Sequence, residues 1–295
     1  MADTWLRVQT ISWYCSTNYR KALQPRCLLD PTRGSMSRTG RAVPRSRDIL
    51  WPIQTLTGHN GWVKGVAWDP VGKNDVTILT DAWGFVIQYL SSAGEDKTVR
   101  MWNVADWQES DVVTEPFEGC ASTSHFRRLS WSPDGSVLCA THAFSSKKNI
   151  AALLNRGSWM NELKFVGHQG VVTSARFNPK LLVTASDPDK EFACCAVGGE
   201  DATVSIWLAH LARPLAVIKD CFDSSVTDLT WSSSKSLLLA CSLDGSVCCF
   251  QFGRDEIGTP ISDAQQIWIS SRYYTCIDIG GKSTPASGTC SLTSW

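Results

Sequence analysis

Four short stretches of the chain alternate apolar and polar residues and end in an aromatic residue followed by a turn. They span 63–68, 126–131, 171–177 and 226–231. This alternation predicts β-strands with one apolar face each. After the second stretch, Pro133, Asp134 and Gly135 predict a tight turn, because proline fixes one backbone dihedral and glycine accepts the left-handed region. The pattern predicts an all-β chain of repeated units.

Two further elements recur with these strands. An Asp, a strand and a closing aromatic residue follow at 96–102, 201–207 and 244–250, and a Gly-His pair precedes two strands at 58–59 and 167–168. The second unit is degenerate and has an apolar run at 149–154 instead. The aligned aromatic residues are 63, 46 and 54 residues apart, whereas one propeller blade needs about 40–45 residues. The excess predicts insertions in the first and third intervals.

Together, these elements resemble the WD-repeat family, which implies four-stranded blades of a β-propeller. The resemblance also implies two buried hydrogen-bonded chains of side chains, and the sequence leaves the hydroxyl member of the second open. The first would contain His59, Ser92, Asp96 and Trp102, and the second His168, Asp201 and Trp207. The alternative is a His–Asp catalytic pair or metal site, but recurrence at the repeat spacing favours an architectural role.

The predicted fold is therefore an all-β, partial WD40-repeat propeller of about four blades within residues 53–258. The units span about 58–107, 119–160, 167–210 and 222–252. Residues 74–88 form an insertion, 186–192 are predicted as a surface loop, and 53–56 as an outer strand. At about 25 cal/mol per Å², two uncovered blade faces would cost more than the ~5–15 kcal/mol of typical folding stability. We therefore expect either a small closed ring or, preferably, a fragment of a longer protein.

The flanks differ from the repeats in composition. Residues 1–50 hold nine basic and three acidic residues, are rich in Arg, Ser and Pro, and are predicted to be disordered. The tail at 266–295 is predicted to be flexible and non-homologous. The other 245 residues hold 19 basic and 25 acidic side chains, which disfavours direct sequence-specific DNA binding and suits a basic protein partner. The N-terminal arginines are scattered, which favours a solvated tail over a nuclear signal or a nucleic-acid arm.

Several classes of protein are disfavoured. There is no secretory pattern at the N-terminus, and the most apolar stretch, 76–90, is too short and contains Asp81, so no membrane span is expected. The twelve cysteines lack metal or disulfide spacing and predict buried apolar residues in a reducing compartment. No catalytic or nucleotide-binding motif is present. We expect a protein that is not an enzyme and needs no cofactor or metal.

Partner binding is predicted on the loops that enter the inner strand of each blade. The candidates are Trp62, His125, Gln169 and Asp223. Trp62 is the sharpest candidate because exposed aromatic residues dominate interface energetics. The alternative, that Trp62 packs between blades, stays open, as it does for Trp107.

The unit sequences also resemble a narrower family, the HIRA histone chaperones. The resemblance covers about 56–73 and 89–262. It includes matching segments at 58–73, 129–135, 165–168, 177–180, 194–198 and 255–258, several residues of which are expected in loops. It implies a nuclear scaffold subunit of a histone-chaperone complex for replication-independent nucleosome assembly and transcriptional regulation. The implied partners are a ubinuclein-type subunit, other members of the complex and, indirectly, histones.

Other functions remain open at this point. A generic WD-repeat adaptor, such as a substrate receptor of a ubiquitin ligase, would use the same fold without the shared loop residues. A propeller enzyme would need ionisable residues that converge on one face. A truncated, non-functional product would explain why 1–50, 74–88 and the tail depart from the family and why its first blades are missing.

Overall fold

A computed structural model of the chain describes residues 9–11, 54–71, 83–85, 88–120, 127–184, 187–232, 236–273 and 276–278. The chain divides into two compact units, one made of 1–14 with 59–295 and the other of 15–58. In the second unit, the described residues 54–58 have no regular secondary structure. All strands and helices discussed below belong to the first unit.

Strands account for most of the regular structure. In chain order they are β1 (Gln9–Ile11), β2 (Val63–Trp68), β3 (Trp83–Phe85), β4 (Tyr89–Gly94), β5 (Val99–Asn103), β6 (Glu109–Val113), β7 (Ser130–Trp131), β8 (Val137–Ser145), β9 (Lys148–Asn155), β10 (Leu163–Val166), β11 (Val172–Phe177), β12 (Leu182–Thr184), β13 (Asp187–Phe192), β14 (Cys194–Gly199), β15 (Val204–Leu208), β16 (Ala216–Ile218), β17 (Val226–Trp231), β18 (Leu237–Ser242), β19 (Val247–Gln251), β20 (Thr259–Pro260) and β21 (Cys276–Asp278). The helices are α1 (Arg254–Ile257) and α2 (Asp263–Ser270), with 3₁₀ turns at Glu115–Phe117 and Ser271–Tyr273.

Four antiparallel four-stranded sheets repeat one plan among the described residues. From the inner to the outer strand they are blade 1 (β2-β4-β5-β6), blade 2 (β7-β8-β9-β10), blade 3 (β11-β14-β15-β16) and blade 4 (β17-β18-β19-β1). In blades 1, 3 and 4 the inner strand carries a register shift near its start, at the same place in the repeat. The predicted partial all-β WD40 propeller is confirmed.

Three apolar cores lie between successive blades. Their members include Met101 and Leu138 between blades 1 and 2, Cys139 and Phe177 between blades 2 and 3, and Ala196 and Trp231 between blades 3 and 4. A strand inside such a stack is covered on both faces, so its residues need not alternate in polarity. This explains the unbroken apolar run in β9, where Leu153 and Leu154 point in opposite directions and are both buried.

The outer strands differ most from the sequence prediction. Residues 54–56 do not form a strand, and Ile53 lies outside the described residues. Instead, β1 is the outer strand of blade 4, where Gln9 pairs with Cys249. The outer strands β6, β10 and β16 also begin after the predicted ends of their units. These strands are short and mostly exposed, so they carry little of the apolar alternation on which the prediction rests.

The insertions and the tail also contain regular structure. The stretch predicted as a loop at 186–192 contains β13, which pairs with β12, and β12 pairs with β20. Its residues before Phe192 are exposed and polar, which hides the strand from the apolar pattern. Within 74–88, β3 pairs with β21 of the tail.

The tail begins as a helix, which also differs from the prediction of flexibility. Helix α2 starts at a capping box in which Ser262 and Gln265 satisfy each other's backbone N–H groups. Its Gln266 side chain donates to the Pro179 carbonyl and accepts from the Leu181 N–H, at 2.9 and 3.2 Å. These bonds fasten α2 to the end of blade 3.

Candidate functional site

A chain of hydrogen-bonded side chains ties the entry loop of blade 1 to its second and third strands. His59 Nδ1 lies 3.0 Å from both carboxylate oxygens of Asp96, and His59 Nε2 lies 2.8 Å from Ser92 Oγ. Trp102 donates its indole N–H to the same Ser92 oxygen at 2.8 Å. The four residues named from the sequence therefore do lie together. They form one hydrogen-bonded series, which runs from Asp96 through His59 and Ser92 to Trp102.

The electrostatics of Asp96 fix the proton positions in this chain. Burial raises the pKa of Asp96, but hydrogen bonds from the Asn60 N–H, the His59 ring and the Thr98 hydroxyl outweigh it and hold the pKa below its ordinary value. Asp96 is thus a carboxylate at neutral pH, which accepts only, so His59 Nδ1 must carry a proton. With the proton on Nδ1, the Nε2 atom of His59 faces the Ser92 hydroxyl as a hydrogen-bond acceptor.

Blade 3 builds the same chain with a hydroxyl from a different strand. His168 Nδ1 lies 3.0 Å from Asp201, and His168 Nε2 lies 2.7 Å from Ser205 Oγ, which also accepts the Trp207 indole N–H at 2.8 Å. Ser92 lies on the second strand of its blade, whereas Ser205 lies on the third. Ser205 is therefore the member that the sequence left open; its position two residues before Trp207, on the same strand face, is the signal that could have identified it.

The carboxylate of blade 3 is held in the same way. Burial raises the pKa of Asp201, but the His168 ring, the Thr203 hydroxyl and the Gln169 N–H lower it further than burial raises it, so the net shift is strongly downward. In blade 3, as in blade 1, the aspartate in the turn between the second and third strands is therefore an ionised carboxylate that holds the entry loop.

Blade 4 keeps the carboxylate and replaces the histidine. Asp244 accepts hydrogen bonds from the Ser246 N–H and from the Asp223 N–H, the latter at 2.8 Å. Asn60, Gln169 and Asp223 each donate this backbone bond in their own blade, so the buried Phe222 stands where the other two blades have histidine. An apolar ring fills the site without needing polar partners, so blade 4 requires no hydroxyl there.

Three equivalent backbone bonds complete the loop geometry. The Glu95 N–H donates to the Trp62 carbonyl, the Glu200 N–H to Val171 and the Leu243 N–H to Ser225. Together with the Asp anchors, they clamp each entry loop against the turn between the second and third strands. We call the surface formed by these loops and turns the loop face.

The loop face presents three of the four predicted partner-binding residues to solvent. Trp62 is 76% exposed, which excludes its burial between the described blades, and Gln169 and Asp223 are also exposed. His125 lies outside the described residues. Leu243, exposed on the turn of blade 4, is a further apolar residue of this face that the sequence prediction missed. Trp107 is half-buried and makes an edge contact with Trp68 at 6.2 Å between ring centroids.

Charge is unevenly distributed over the loop face. Glu200, Asp223 and Asp244 are exposed on blades 3 and 4, while Lys147 and Lys148 are exposed on the corresponding turn of blade 2. An acidic sector beside an apolar anchor such as Leu243 offers complementary contacts to a basic, partly apolar segment of a protein partner.

The described residues also bear on metal sites, reactive cysteines and membrane-spanning helices. None of their His, Cys, Asp and Glu side chains gathers in threes as a metal site requires. The cysteines recorded in the described part are free thiols, and burial raises the pKa of Cys194 to about 12, so it stays protonated. In the same part of the chain, no helix combines the length and apolar character needed to cross a membrane.

Comparison with known proteins gives one family match and several long relatives. The sequence profile described as "WD domain, G-beta repeat" matches residues 50–103 and 212–251. Protein HIR1 of Cryptococcus neoformans var. neoformans is 36% identical over 225 residues, covering 75% of this chain and 24% of the relative. Protein HIRA of Homo sapiens is 38% identical over 271 residues, with 75% and 25% covered.

A third relative gives the same picture. The HIRA homolog of Drosophila melanogaster is 38% identical over 281 residues, covering 78% of this chain and 25% of the relative. The chain thus spans about a quarter of the length of the curated relatives that it matches.

Proposed function

Because the chain carries a partial WD40 propeller and resembles the HIRA family over about three quarters of its residues, we propose that it is a scaffold subunit of a histone-chaperone complex. The complex assembles nucleosomes independently of replication and takes part in transcriptional regulation in the nucleus. Its direct partners are a ubinuclein-type subunit and other members of the complex, and it reaches histones through them. Its role requires no cofactor and no direct sequence-specific contact with nucleic acid.

One observation carries the scaffold role: the apolar side chain of Trp62 stands in solvent on a loop that is rigidly held. Its own carbonyl is bonded to the Glu95 N–H, and the preceding loop is fixed by the Asn60 bond to Asp96. A large aromatic side chain on a fixed backbone loses little conformational freedom on binding, which is the property of an interface anchor.

The two His–Asp pairs support a scaffold over an enzyme. Each histidine has both ring nitrogens within 3.2 Å of carboxylate or hydroxyl partners of its own blade. A general base needs a ring nitrogen that reaches a substrate proton. These histidines instead hold the loops that a protein partner would contact.

The full chain, tagged and purified, should be immobilised and tested against a purified ubinuclein-type subunit and against nuclear extract. We expect saturable binding of the ubinuclein-type subunit and enrichment of histone-chaperone subunits from the extract. Enrichment of ubiquitin-ligase subunits instead would favour the generic adaptor. If a cooperatively folded chain failed to bind the ubinuclein-type subunit, the proposal would be wrong.

A further inference from the structure

The entry loops and turns of blades 2, 3 and 4 follow one another directly on the loop face. Asn149, at the turn of blade 2, donates its side-chain N–H to the Gln169 carbonyl in the entry loop of blade 3, at 3.3 Å. The Gln169 N–H in turn donates to Asp201, in the turn of blade 3. At the next boundary, Thr173 donates its hydroxyl to the Val226 carbonyl, which joins the inner strand of blade 3 to that of blade 4. The exposed side chains of these loops and turns therefore stand in a row.

The charge of this row changes sign from one end to the other. Its exposed charged residues are Lys147 and Lys148 on blade 2 and Glu200 and Asp223 on blades 3 and 4. None of these side chains has an ion-pair partner in the part of the chain that the structure describes. The adjoining Lys219 and Asp220 are exposed as well but cancel in charge, and in blade 1 Glu95 is paired with Lys64 at 3.5 Å. We call Lys147, Lys148, Glu200 and Asp223 the charge row.

The backbone holds both ends of the charge row in fixed positions. The N–H groups of Glu200 and Asp223 both take part in the bonds that hold the entry loops to the turns. On blade 2, Ser146 and Lys147 form a two-residue turn with φ of 50° and 61°. Asn and Gly favour this left-handed conformation, so a lysine there is uncommon, and strained residues of this kind cluster at ligand-binding sites. Charges on rigid supports lose little conformational freedom when a partner binds.

Resting on the proposed function, in which the loop face is a docking surface, we propose that the charge row binds one extended segment of the protein partner that is acidic at one end and basic at the other. The acidic part lies over Lys147 and Lys148, and the basic part lies over Glu200 and Asp223. Leu243, which is 61% exposed on the turn of blade 4, receives an apolar residue beside the basic part. We call such a segment bipolar.

Like-charge repulsion explains why a bipolar segment fits better than a uniformly charged one. A uniformly basic segment would meet the two lysines of blade 2, and a uniformly acidic one would meet the carboxylates of blades 3 and 4. Like charges brought together weaken binding and exclude wrong partners. A bipolar segment that lay in the reverse direction would meet like charges at both ends. The charge row therefore selects both the partner and the direction in which it lies.

The test measures fluorescence anisotropy of labelled peptides with the full chain. The bipolar probe joins a block of glutamates to a block of lysines through a Gly-Ser spacer, and two uniform probes carry only lysines or only glutamates. We expect the bipolar probe to bind about tenfold more tightly than either uniform probe, and its affinity should fall as salt is added. Lys147→Glu with Lys148→Glu should make the all-lysine probe the tightest. Glu200→Lys with Asp223→Lys should make the all-glutamate probe the tightest.

The substitutions at Glu200 and Asp223 leave the loop bonds in place, because those bonds use backbone N–H groups. Far-UV circular dichroism and the unfolding midpoint would show that each variant is folded. The matched control is Asp189→Lys with Glu191→Lys, which reverses two exposed carboxylates of β13, beyond the opposite end of the inner strand of blade 3. This control should keep the wild-type order of the three probes.

Two results would overturn the proposal: an all-lysine probe that binds the wild type as tightly as the bipolar probe, or reversal variants that keep the wild-type order. The ubinuclein-type subunit, titrated against the same variants, separates this inference from the proposed function. If the subunit binds the wild type and both reversal variants alike, the inference fails and the histone-chaperone role stands. If the probes behave as expected and the subunit does not bind, the inference stands and that role fails.

Discussion

Arg156 of blade 2 forms a bidentate ion pair with Asp69 of blade 1. Arg156 Nη1 lies 3.1 Å from Asp69 Oδ1, and Nη2 lies 2.6 Å from Oδ2, with both side chains buried. The same guanidinium donates to the Gly135 carbonyl and to Gln88 Oε1, at 3.0 and 2.6 Å. The pair therefore joins the turn after β2 to the end of β9, across the boundary between the two blades.

Aromatic rings enclose this guanidinium. Its central carbon lies 5.1 Å from the Tyr89 ring, 5.5 Å from Trp131 and 5.2 Å from Tyr273. Arginine is suited to this place because its flat cation stacks on rings while donating in its own plane. Tyr273 follows α2, so the site also ties the C-terminal segment to the first two blades.

Asp69→Asn is expected to destabilise the protein by about 3–5 kcal/mol, because it leaves the buried Arg156 cation uncompensated. The free energy of unfolding in urea measures the effect. Asp263→Asn is the control: it breaks the ion pair between Lys180 and the largely exposed Asp263, and such surface pairs contribute about 0–1 kcal/mol. Equal losses in the two variants would contradict a structural role for the Arg156 pair.

Gly65→Ala should separate blades 1 and 2. A Cβ at Gly65 would lie 1.8 Å from the Arg127 carbonyl oxygen, which is backbone and cannot rotate away. We expect a loss of about 1–3 kcal/mol or more in unfolding free energy, the usual cost of overpacking. At Gly167 an added Cβ would meet the Trp207 ring at an ordinary 3.6 Å. Gly167→Ala should accordingly be tolerated, and a similar loss there would count against the steric explanation.

Ser205→Ala should lower the stability of the protein, because it removes the hydroxyl that His168 and Trp207 share in blade 3. The Trp207 N–H and His168 Nε2 would then be left without a partner in a buried site, at a cost of about 1–3 kcal/mol. Thermal unfolding of Ser205→Ala beside Ser110→Ala, an exposed serine bonded to its neighbour Asp111, checks this. An unchanged midpoint for Ser205→Ala would show that the chain of bonds contributes nothing to stability.

The sequence predicts the recurring parts of the blades because their causes are local. The turn carboxylates Asp96 and Asp201 stand at fixed distances from their tryptophans, so the pattern identified them directly. The sequence did not identify Ser205 as the hydroxyl partner of His168, because a hydroxyl can reach this point from either of two adjacent strands. Only the three-dimensional register shows which strand supplies it.

Long-range pairings were beyond the sequence pattern. β1 pairs with β19 across more than two hundred residues, and its three residues carry no distinctive signal. Arg156 and Asp69 are 87 residues apart, and Arg156 lies outside the repeated elements. A lone charged residue in a turn normally indicates a solvated position, so the pattern gives no reason to place either one inside a core.

Acid should destabilise blade 4 through Asp244. Burial raises the pKa of Asp244, but the hydrogen bonds from the Ser246 hydroxyl and N–H and from the Asp223 N–H together outweigh it and lower the pKa to about 2. An unfolded Asp titrates near about 3.9, so the folded state holds its proton more weakly. The stability from Asp244 is therefore fully present above about pH 4 and is lost as the pH falls through about 2.

The pH dependence of the unfolding free energy distinguishes Asp244 from other carboxylates. Asp244→Asn should flatten the profile in this window, because the group that titrates is gone. Ser246→Ala, which removes one donor, should move the loss of stability to higher pH. If both variants kept the wild-type slope, the carboxylate of Asp244 would not be responsible for it.

Trp62→Ala should separate binding from folding. Trp62 is 76% exposed, and exposed positions usually change stability by less than about 0.5 kcal/mol. Truncating an anchor residue in the centre of an interface typically reduces the binding free energy by about 2 kcal/mol or more. This corresponds to a roughly thirtyfold increase in Kd. Titration calorimetry with the ubinuclein-type subunit measures this loss, and urea unfolding of the same variant measures stability.

Trp268→Ala provides the matched comparison, because Trp268 on α2 is a second well-exposed tryptophan. Trp268 lies on α2, whose Gln266 bonds to Pro179 and Leu181 beyond the inner strand of blade 3, whereas Trp62 lies on the loop face. If the loop face binds the partner, only Trp62→Ala weakens the complex. If only Trp268→Ala does so, the partner docks at the α2 end, and the rigid entry loops serve the fold alone.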